Sequence, residues 1–328
     1  MSADQPTPLQ QLLEPLREDL GHVEGEIRRM TTSSSVPLQE LLDHLHQFAG
    51  KRLRPALTCL AGRLFGAVHP EHYAVGAIIE LIHTATLVHD DILDESRMRR
   101  RVDTINHRVG NETAVLLGDY LFATCFKEAA SLEDRFASRY LSEIVGVVCR
   151  GEIMQVHHRH DFEMSEEVYF RIIEDKTAAL YAAALRCGAH FAGAAPELCD
   201  LLAGFGTAIG TAFQIADDIL DLTGEEKLVG KQLGTDLDKA KMTLPLLRLR
   251  DAASPEDREI VEEAIRSDDE EARLRVRPLL EKYGAIESAS HTAEAMIDDA
   301  LASLDILPDR PEREQLRACA AFMLRRSV

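Results

Sequence analysis

The pentapeptide Asp-Asp-Ile-Leu-Asp occurs twice in this chain, as Asp90 to Asp94 and again as Asp217 to Asp221. Each copy closes a long apolar stretch, AVGAIIELIHTATLVH before the first and LLAGFGTAIGTAFQIA before the second. The apolar residues recur with helical periodicity, so each motif is expected near the C-terminal end of a buried helix. Side chains three and four apart share a helical face, which stacks Asp90 and Asp94 one turn apart with Asp91 close beside Asp94. Like charges at that spacing repel, and the negative end of the helix dipole adds to the cost. A cation must compensate. Oxygen ligands without a nearby cysteine suit Mg²⁺, which binds through one or two carboxylates together with substrate phosphates. A single Asp-rich pentamer reads as a solvated helix end; two identical copies behind apolar helices point to a bound metal.

Basic residues accompany both motifs. Ala49-Gly50-Lys51-Arg52-Leu53-Arg54-Pro55 opens a helix, with Pro55 suited to its first turn. Lys51 and Arg54 stand three apart beside that helix start, where backbone N–H groups also favour anions. Glu95 to Arg101 forms a basic loop directly after the first acidic end, with Arg97, Arg99, Arg100 and Arg101. A metal-bridged anion would satisfy both charges; pairing between neighbours would do so too. Lys176-Thr177 falls in a helix expected over 165–192. Lys231 lies in a Gly- and Lys-bearing loop from Gly224 to Gly234, and Lys241 follows in Asp236 to Pro245; both are within reach of a phosphate held near Asp217. His157, His158 and His160 read as a solvated helix end, since no cysteine or paired Glu completes a zinc pattern.

The elements that must position these groups read as helices throughout. They are expected over 8–30, 37–48, 70–94, 111–130, 132–158, 165–192, 196–223, 255–266, 270–283, 285–304 and 311–326, with Thr31 to Ser35 as a linker after the first. Gly204, Gly206 and Gly210 in the second motif helix would let backbones approach closely, at a cost to helix stability. No alternating strand pattern of useful length occurs. The 328 residues are 45% hydrophobic and only 5% aromatic, with no Trp, which supports a full aliphatic core and an all-α protein. A net charge of −19 argues against a nucleic-acid partner. Cysteines at 59, 125, 149, 187, 199 and 319 show no Cys-x-x-Cys spacing and read as small core residues in a reducing compartment, the cytoplasm. No secretory signal is visible at the N-terminus. No transmembrane segment is expected, because Glu80, His83 and His89 interrupt the first apolar stretch and the second is short and Gly-rich.

From about residue 37 to the end, the chain closely resembles the trans-prenyltransferases, the polyprenyl diphosphate synthases. The matching segments, in order, are AGKRLRP, IHTATLVHDDILDESRMRRR, NETAVLLGDYLFA, GEIMQ, KTAAL, GTAFQIADDILD and GKQLGTDLDKAKMTLPLL. The resemblance implies a single domain over 1–328, with residues 1–35 as an N-terminal helix plus linker. It implies an all-α bundle of ten or more helices around a deep central cavity, and a homodimer. The implied reaction condenses an allylic diphosphate with isopentenyl diphosphate and releases pyrophosphate. The implied cofactor is Mg²⁺, about three ions on the allylic diphosphate between the two Asp motifs, with Mn²⁺ as a substitute.

The resemblance carries roles residue by residue. Asp90, Asp94 and Asp217 match direct metal ligands, and Asp91, Asp218 and Asp221 supporting ones. Lys51, Arg54, His83 and Arg100 match the isopentenyl diphosphate pocket. Arg99, Lys176, Lys231 and Lys241 match the clamp on the allylic diphosphate, where Gln214 and Thr177 line the site. Ala85 and Thr86, one turn before Asp90, match the positions where an aromatic floor limits product length. Both are small here, so the product is expected to be geranylgeranyl diphosphate or longer. The chain departs from the family pattern at Ala49, at Arg101-Val102-Asp103 and at Ala240, where the family usually has Gly, Gly-x-Pro and Gly. Three alternatives stand beside this reading: a farnesyl-length synthase, a silent subunit of a heteromeric synthase, and an ionising terpene cyclase. A silent subunit should have lost one Asp motif, and a cyclase needs no second diphosphate pocket. Peripheral membrane contact for release of a greasy product is left open.

Overall fold

Proline and short polar caps divide the chain into helices. The computed structural model describes residues 8–47, 50–100, 102–223, 235–266 and 270–325. Helices α1 (Pro8–Leu13) and α2 (Arg17–Met30) are separated by a 3-10 turn at Glu14–Leu16, because Pro15 has no N–H to continue the ladder. Thus the first amphipathic segment is two helices. Helices α3 (Val36–His46), α4 (Leu53–Phe65) and α5 (Pro70–Leu93) follow. Pro70 starts α5, and His69 and His72 cap it reciprocally. A minimal antiparallel hairpin comes next, β1 (Met98–Arg99) and β2 (Val102–Asp103), pairing Met98 with Asp103 and Arg99 with Val102.

Beyond the hairpin come α6 (Ile105–Val109), capped by the Thr104 hydroxyl, then α7 (Asn111–Ser131) and α8 (Arg135–His157). The helix expected over 165–192 is α9 (Glu166–Ile173), a π-helical turn at Glu174–Ala178, and α10 (Ala179–Phe191). The second motif ends α11 (Pro196–Thr223). The remaining helices are α12 (Thr235–Asp238), α13 (Leu244–Ala252), α14 (Pro255–Arg266), α15 (Glu270–Lys282), α16 (Ala285–Ser303) and α17 (Pro311–Arg325). The fold is all-α, as expected; α6, α12, α13 and the hairpin are additions to the sequence reading.

The chain forms two compact units, one of Met1–Val145, Leu180–Gly206 and Leu304–Cys319, the other of Gly146–Ala179, Thr207–Ser303 and Ala320–Val328. In the first, α2, α4 and α7 pack around α5, whose Val75, Ile78, Ile79 and Ile82 are fully buried. Gly206 permits the expected close approach: a Cβ there would lie 2.7 Å from the Ala182 backbone, whereas Gly204 faces open space. In the second unit, α13 packs against α9, α14, α15 and α16. Its buried Arg250 donates through Nη1 to the carbonyls of Phe162 and Met164 at 2.8 and 2.7 Å, fixing the turn that leads into α9.

Helix α11, whose apolar stretch reads in the sequence as too short and Gly-rich for a span, has the length and composition to cross a membrane, yet half of its most apolar window is buried within the protein. All six cysteines carry free thiols, and only Cys149 is exposed.

Candidate active site

In the first unit, Asp94 caps the C-terminus of α5 and its N–H donates to the Asp90 carbonyl at 2.8 Å, one helical turn back. The hairpin then reverses the chain so that Arg99 returns to Asp91. Its Nη2 lies 2.9 Å from Asp91 Oδ1, and Nε lies 3.1 Å from both carboxylate oxygens. Asn106 closes the same helix end by donating from Nδ2 to the carbonyls of Asp91 and Ser96, at 3.1 and 3.2 Å. Asp91 is buried; burial pushes its carboxyl upward and Arg99 pulls it back. Asp90 is only half-buried.

A cleft with a cavity volume of about 40 Å³ runs along one face of α5. Gly50, Arg52, Glu80, His83, Asp91 and Arg100 are among the residues that line it. Burial, followed by the charges of Arg54, Arg99, Arg100 and Arg52, holds the His83 imidazole neutral, well below its ordinary range. Arg54 is buried and its guanidinium lies 4.3 Å from the centroid of the Tyr181 ring. Its Nε has no hydrogen-bond partner among the described residues. Buried donors are normally satisfied, so this one fits a site completed by an anion. Lys51 is exposed at the mouth of α4. Ala85 and Thr86 do not line this cleft: Ala85 is fully buried, and the Thr86 hydroxyl donates to the His83 carbonyl at 2.8 Å.

In the second unit the middle aspartate, Asp218, is again buried, here together with Asp221. Asp218 accepts from the Tyr169 hydroxyl at 2.6 Å and from Gln214 Nε2 at 2.8 Å. The other end of that carboxamide accepts from the Thr177 hydroxyl at 2.8 Å. Burial pushes the Asp218 carboxyl far above the usual carboxylate range, and Asp236 adds to it. Asp217 is half-buried. Asp221 Oδ2 accepts from the Asp236 N–H at 3.0 Å, and Lys241 Nζ lies 3.2 Å from Asp236 Oδ1. The chain reaches Lys241 through Ala240, whose φ of +51° is left-handed, so a residue with a side chain stands where glycine would be unstrained.

Lys176 and Thr177 sit in the π-helical turn, a feature that often marks functional sites. Lys176 Nζ pairs with Glu152 Oε2 at 2.5 Å. Gly151, the neighbour of Glu152, makes the approach of the two helical segments feasible, since a Cβ there would lie 2.5 Å from the Lys176 backbone nitrogen. Lys231 lies outside the described residues, as do Ala49 and Arg101.

The structure therefore gathers Asp91, Arg99, Arg100, His83 and Arg54 along one helix, and links Asp218, Gln214 and Thr177 in one hydrogen-bonded chain. Sequence reading missed Arg52, Glu80, Asn106, Tyr169 and Tyr181. Glu80 offered a signal, a charge inside an apolar run; the two tyrosines offered none. Among the described residues, no three carboxylate, imidazole or thiol groups form a ready-made ion cage.

The profile of the polyprenyl synthetase family matches residues 35–282. Octaprenyl diphosphate synthase of Escherichia coli (strain K12) is 36% identical over 321 residues, 97% of this chain and 99% of that protein. Heptaprenyl diphosphate synthase component 2 of Geobacillus stearothermophilus is 38% identical over 313 residues, 95% and 97% of the two chains. The crystal structure of polyprenyl synthase from Caulobacter crescentus CB15, complexed with calcium and isoprenyl diphosphate, is similar with a TM-score of 0.93 and 35% identity, covering 99% of this chain and 100% of that one.

Proposed function

We infer how the site works from the premise that this chain belongs to the polyprenyl synthetase family. It is a polyprenyl diphosphate synthase, a transferase of prenyl groups. Its substrates are an allylic diphosphate and isopentenyl diphosphate. Ionisation of the allylic C–O bond leaves a carbocation and pyrophosphate. The double bond of isopentenyl diphosphate attacks the cation, a new C–C bond forms, and transfer of a proton to the released pyrophosphate restores the double bond. The difficult step concentrates negative charge on the leaving group, so the catalyst is whatever meets that charge as it builds.

What carries this reading is a repeated asymmetry. In each pentapeptide the second aspartate, Asp91 or Asp218, is buried and held by neighbouring side chains, while the first, Asp90 or Asp217, is half-buried. A solvated acidic helix end gives no reason to anchor the middle carboxylate twice. We assign Asp90, Asp94 and Asp217 to the metal and Asp91, Asp218 and Asp221 to its support. The all-oxygen donors, with no complete cage, fit Mg²⁺ brought in with a diphosphate, with Mn²⁺ as a substitute. When bound, Mg²⁺ supplies charge that stabilises the departing pyrophosphate. Arg54, Arg100 and Lys51 hold the isopentenyl diphosphate, and neutral His83 stands beside them as a hydrogen-bonding group. Lys176, Lys241, Arg99 and Lys231 clamp the allylic diphosphate beside Gln214 and Thr177.

The product is geranylgeranyl diphosphate or longer, given the small Ala85 and Thr86. The enzyme is a cytoplasmic homodimer; its free thiols suit a reducing compartment, and Val115, Leu116 and Phe126 of α7 offer exposed apolar surface for a second copy. A relative named component 2 favours one other reading, dependence on a different subunit. One assay separates these. The purified chain is incubated with farnesyl diphosphate, labelled isopentenyl diphosphate and Mg²⁺, and products are resolved by length beside a mass measurement of the particle. Elongation past farnesyl by the chain alone, abolished by chelator and by Asp90→Ala or Asp217→Ala, is expected. Full turnover in excess chelator defeats the metal assignment, and an inactive folded chain that a second subunit activates favours the heteromer.

A further inference from the structure

Arg52 stands between the two cationic residues of the first phosphate pocket, and the function reading gives it no role. Its backbone is left-handed, with φ 53° and ψ 33°, at the N-cap of α4. A non-glycine residue persists there only when its surroundings hold it. Two carboxylates do so. Arg52 Nε is hydrogen-bonded to Glu24 of α2, and Nη1 lies 2.9 Å from Oε1 of Glu80 on α5. The side chains of Arg52 and Glu80 are 13% and 6% exposed, so the pair is largely withdrawn from water.

One guanidinium facing two carboxylates is more than neutralised and is no free cation for a phosphate. Its fork instead ties the loop to two helices at once. Glu80 occupies the same face of α5 as His83, Thr84, Leu87, Val88 and Asp91, all lining the cleft. Arg100 approaches from the other side: its Nη1 and Glu80 Oε1 each lie 3.2 Å from where a Cβ on Gly50 would stand. A buried negative charge therefore sits within a pocket read as binding an anion. Coulomb's law alone would make it a liability.

We propose that Arg52 and Glu80 are positioning residues for isopentenyl diphosphate, locking the left-handed backbone from which Lys51 and Arg54 project. The inference rests on the substrate assignment above, and the sign of one substitution tests it. Glu80→Gln removes a negative charge beside a diphosphate. If Glu80 acted only through its charge, binding would tighten. If it holds Arg52, binding weakens.

The test measures KM for isopentenyl diphosphate and for farnesyl diphosphate, with isopentenyl diphosphate binding by calorimetry, for wild type, Glu80→Gln, Arg52→Ala and Arg52→Gly. Glu80→Gln and Arg52→Ala are each expected to weaken isopentenyl diphosphate binding by about tenfold, leaving KM for farnesyl diphosphate near its wild-type value. The double variant Arg52→Ala with Glu80→Gln should be no worse than either alone, because both break one tether. Arg52→Gly should regain part of what Arg52→Ala loses, since glycine enters the left-handed region without strain. Tighter or unchanged binding in Glu80→Gln, or equal losses in Arg52→Gly and Arg52→Ala, overturns the proposal. Should Glu80→Gln fail to fold, the comparison of Gly with Ala at position 52 decides alone. A wild-type chain that does not bind isopentenyl diphosphate overturns the substrate assignment and this inference together; a wild type that binds it isolates the inference.

Discussion

The guanidinium of Arg99 and the carboxylate of Asp91 form a paired contact across the hairpin, 2.9 Å at its shortest. Asp91 is 6% exposed at its side chain and Arg99 29%, so the carboxylate depends on the arginine more than the reverse. Arg99→Ala should therefore leave a buried charge poorly compensated and lower stability by about 1–3 kcal/mol. Adding Asp91→Asn should recover part of that stability without restoring turnover. Urea unfolding of the two variants checks this, and an unchanged midpoint for Arg99→Ala would show the pair to be decorative.

Ala240 gives a second test, in the opposite direction. Its φ of +51° places a methyl group where glycine is unstrained, and its carbonyl accepts from the His160 N–H at 3.0 Å. Ala240→Gly should relieve the strain and stabilise the chain by about 1 kcal/mol, less the added freedom of the unfolded state. Lys241 follows directly, so KM for the allylic diphosphate is the second readout. A lower melting temperature in Ala240→Gly would mean that the loop, not its strain, sets stability.

The helical framework was legible because long apolar periods announce themselves. The stretches ending at Leu93 and at Thr223 each gave one helix close to its expected bounds. What periodicity cannot carry is a change in hydrogen-bond register, so the helix expected over 165–192 concealed the π-helical turn that holds Lys176 and Thr177. A strand of two residues is too short to alternate, so the hairpin that returns Arg99 to Asp91 was invisible. Glu80 was read as an interruption to an apolar run, and it is a buried partner of Arg52. Charge spacing picks out the cations and the aspartates as candidates; which of them engage each other depends on backbone turns with no sequence period.

Gly151 is the cheapest probe of the π-helical turn. A Cβ there would meet the Lys176 backbone nitrogen at 2.5 Å and Asp175 Cβ at 2.8 Å, so α8 or the turn must shift. Gly151→Ala should cost about 1–3 kcal/mol of stability and raise KM for the allylic diphosphate more than that for isopentenyl diphosphate. Crystals showing an unmoved turn, with both constants unchanged, would remove Lys176 from the clamp.

The pH dependence of stability should include His72. Its Nδ1 accepts from the His69 N–H at 3.0 Å, and Nε2 lies 3.0 Å from the Gly188 carbonyl, which fixes a neutral ring with the proton on Nε2. Burial holds its pKa below the ordinary 6.5, opposed by those two hydrogen bonds. The folded chain resists a proton that the unfolded chain accepts, so this contribution is complete above 6.5 and is lost as pH falls below it. Urea midpoints for wild type should drop between about pH 7.5 and pH 5, and His72→Gln should flatten part of that slope. Parallel slopes would assign the loss to other groups.

The proposed chain-length role of Ala85 and Thr86 on α5 is tested through product length. Helical side chains lean toward the N-terminus, so the residues one turn before Asp90 border the space beneath the acidic end. Those residues are Ala85, which is fully buried, and Thr86, whose hydroxyl is turned to the His83 carbonyl. Neither fills space as an aromatic ring would. Each further buried methylene favours elongation by about 0.8 kcal/mol until a wall is met. The competing wall is on α7, where Tyr120 and Phe122 are half-buried, and the Phe122 ring lies 5.9 Å from that of His89. Ala85→Phe should shorten the product distribution, because the ring occupies the volume through which the chain would grow; Phe122→Ala should lengthen it only if α7 sets the limit. Products are read by chromatography after exhaustive elongation. A wild type that stops at farnesyl diphosphate, or an Ala85→Phe enzyme with unaltered products, would move the length determinant off α5 altogether.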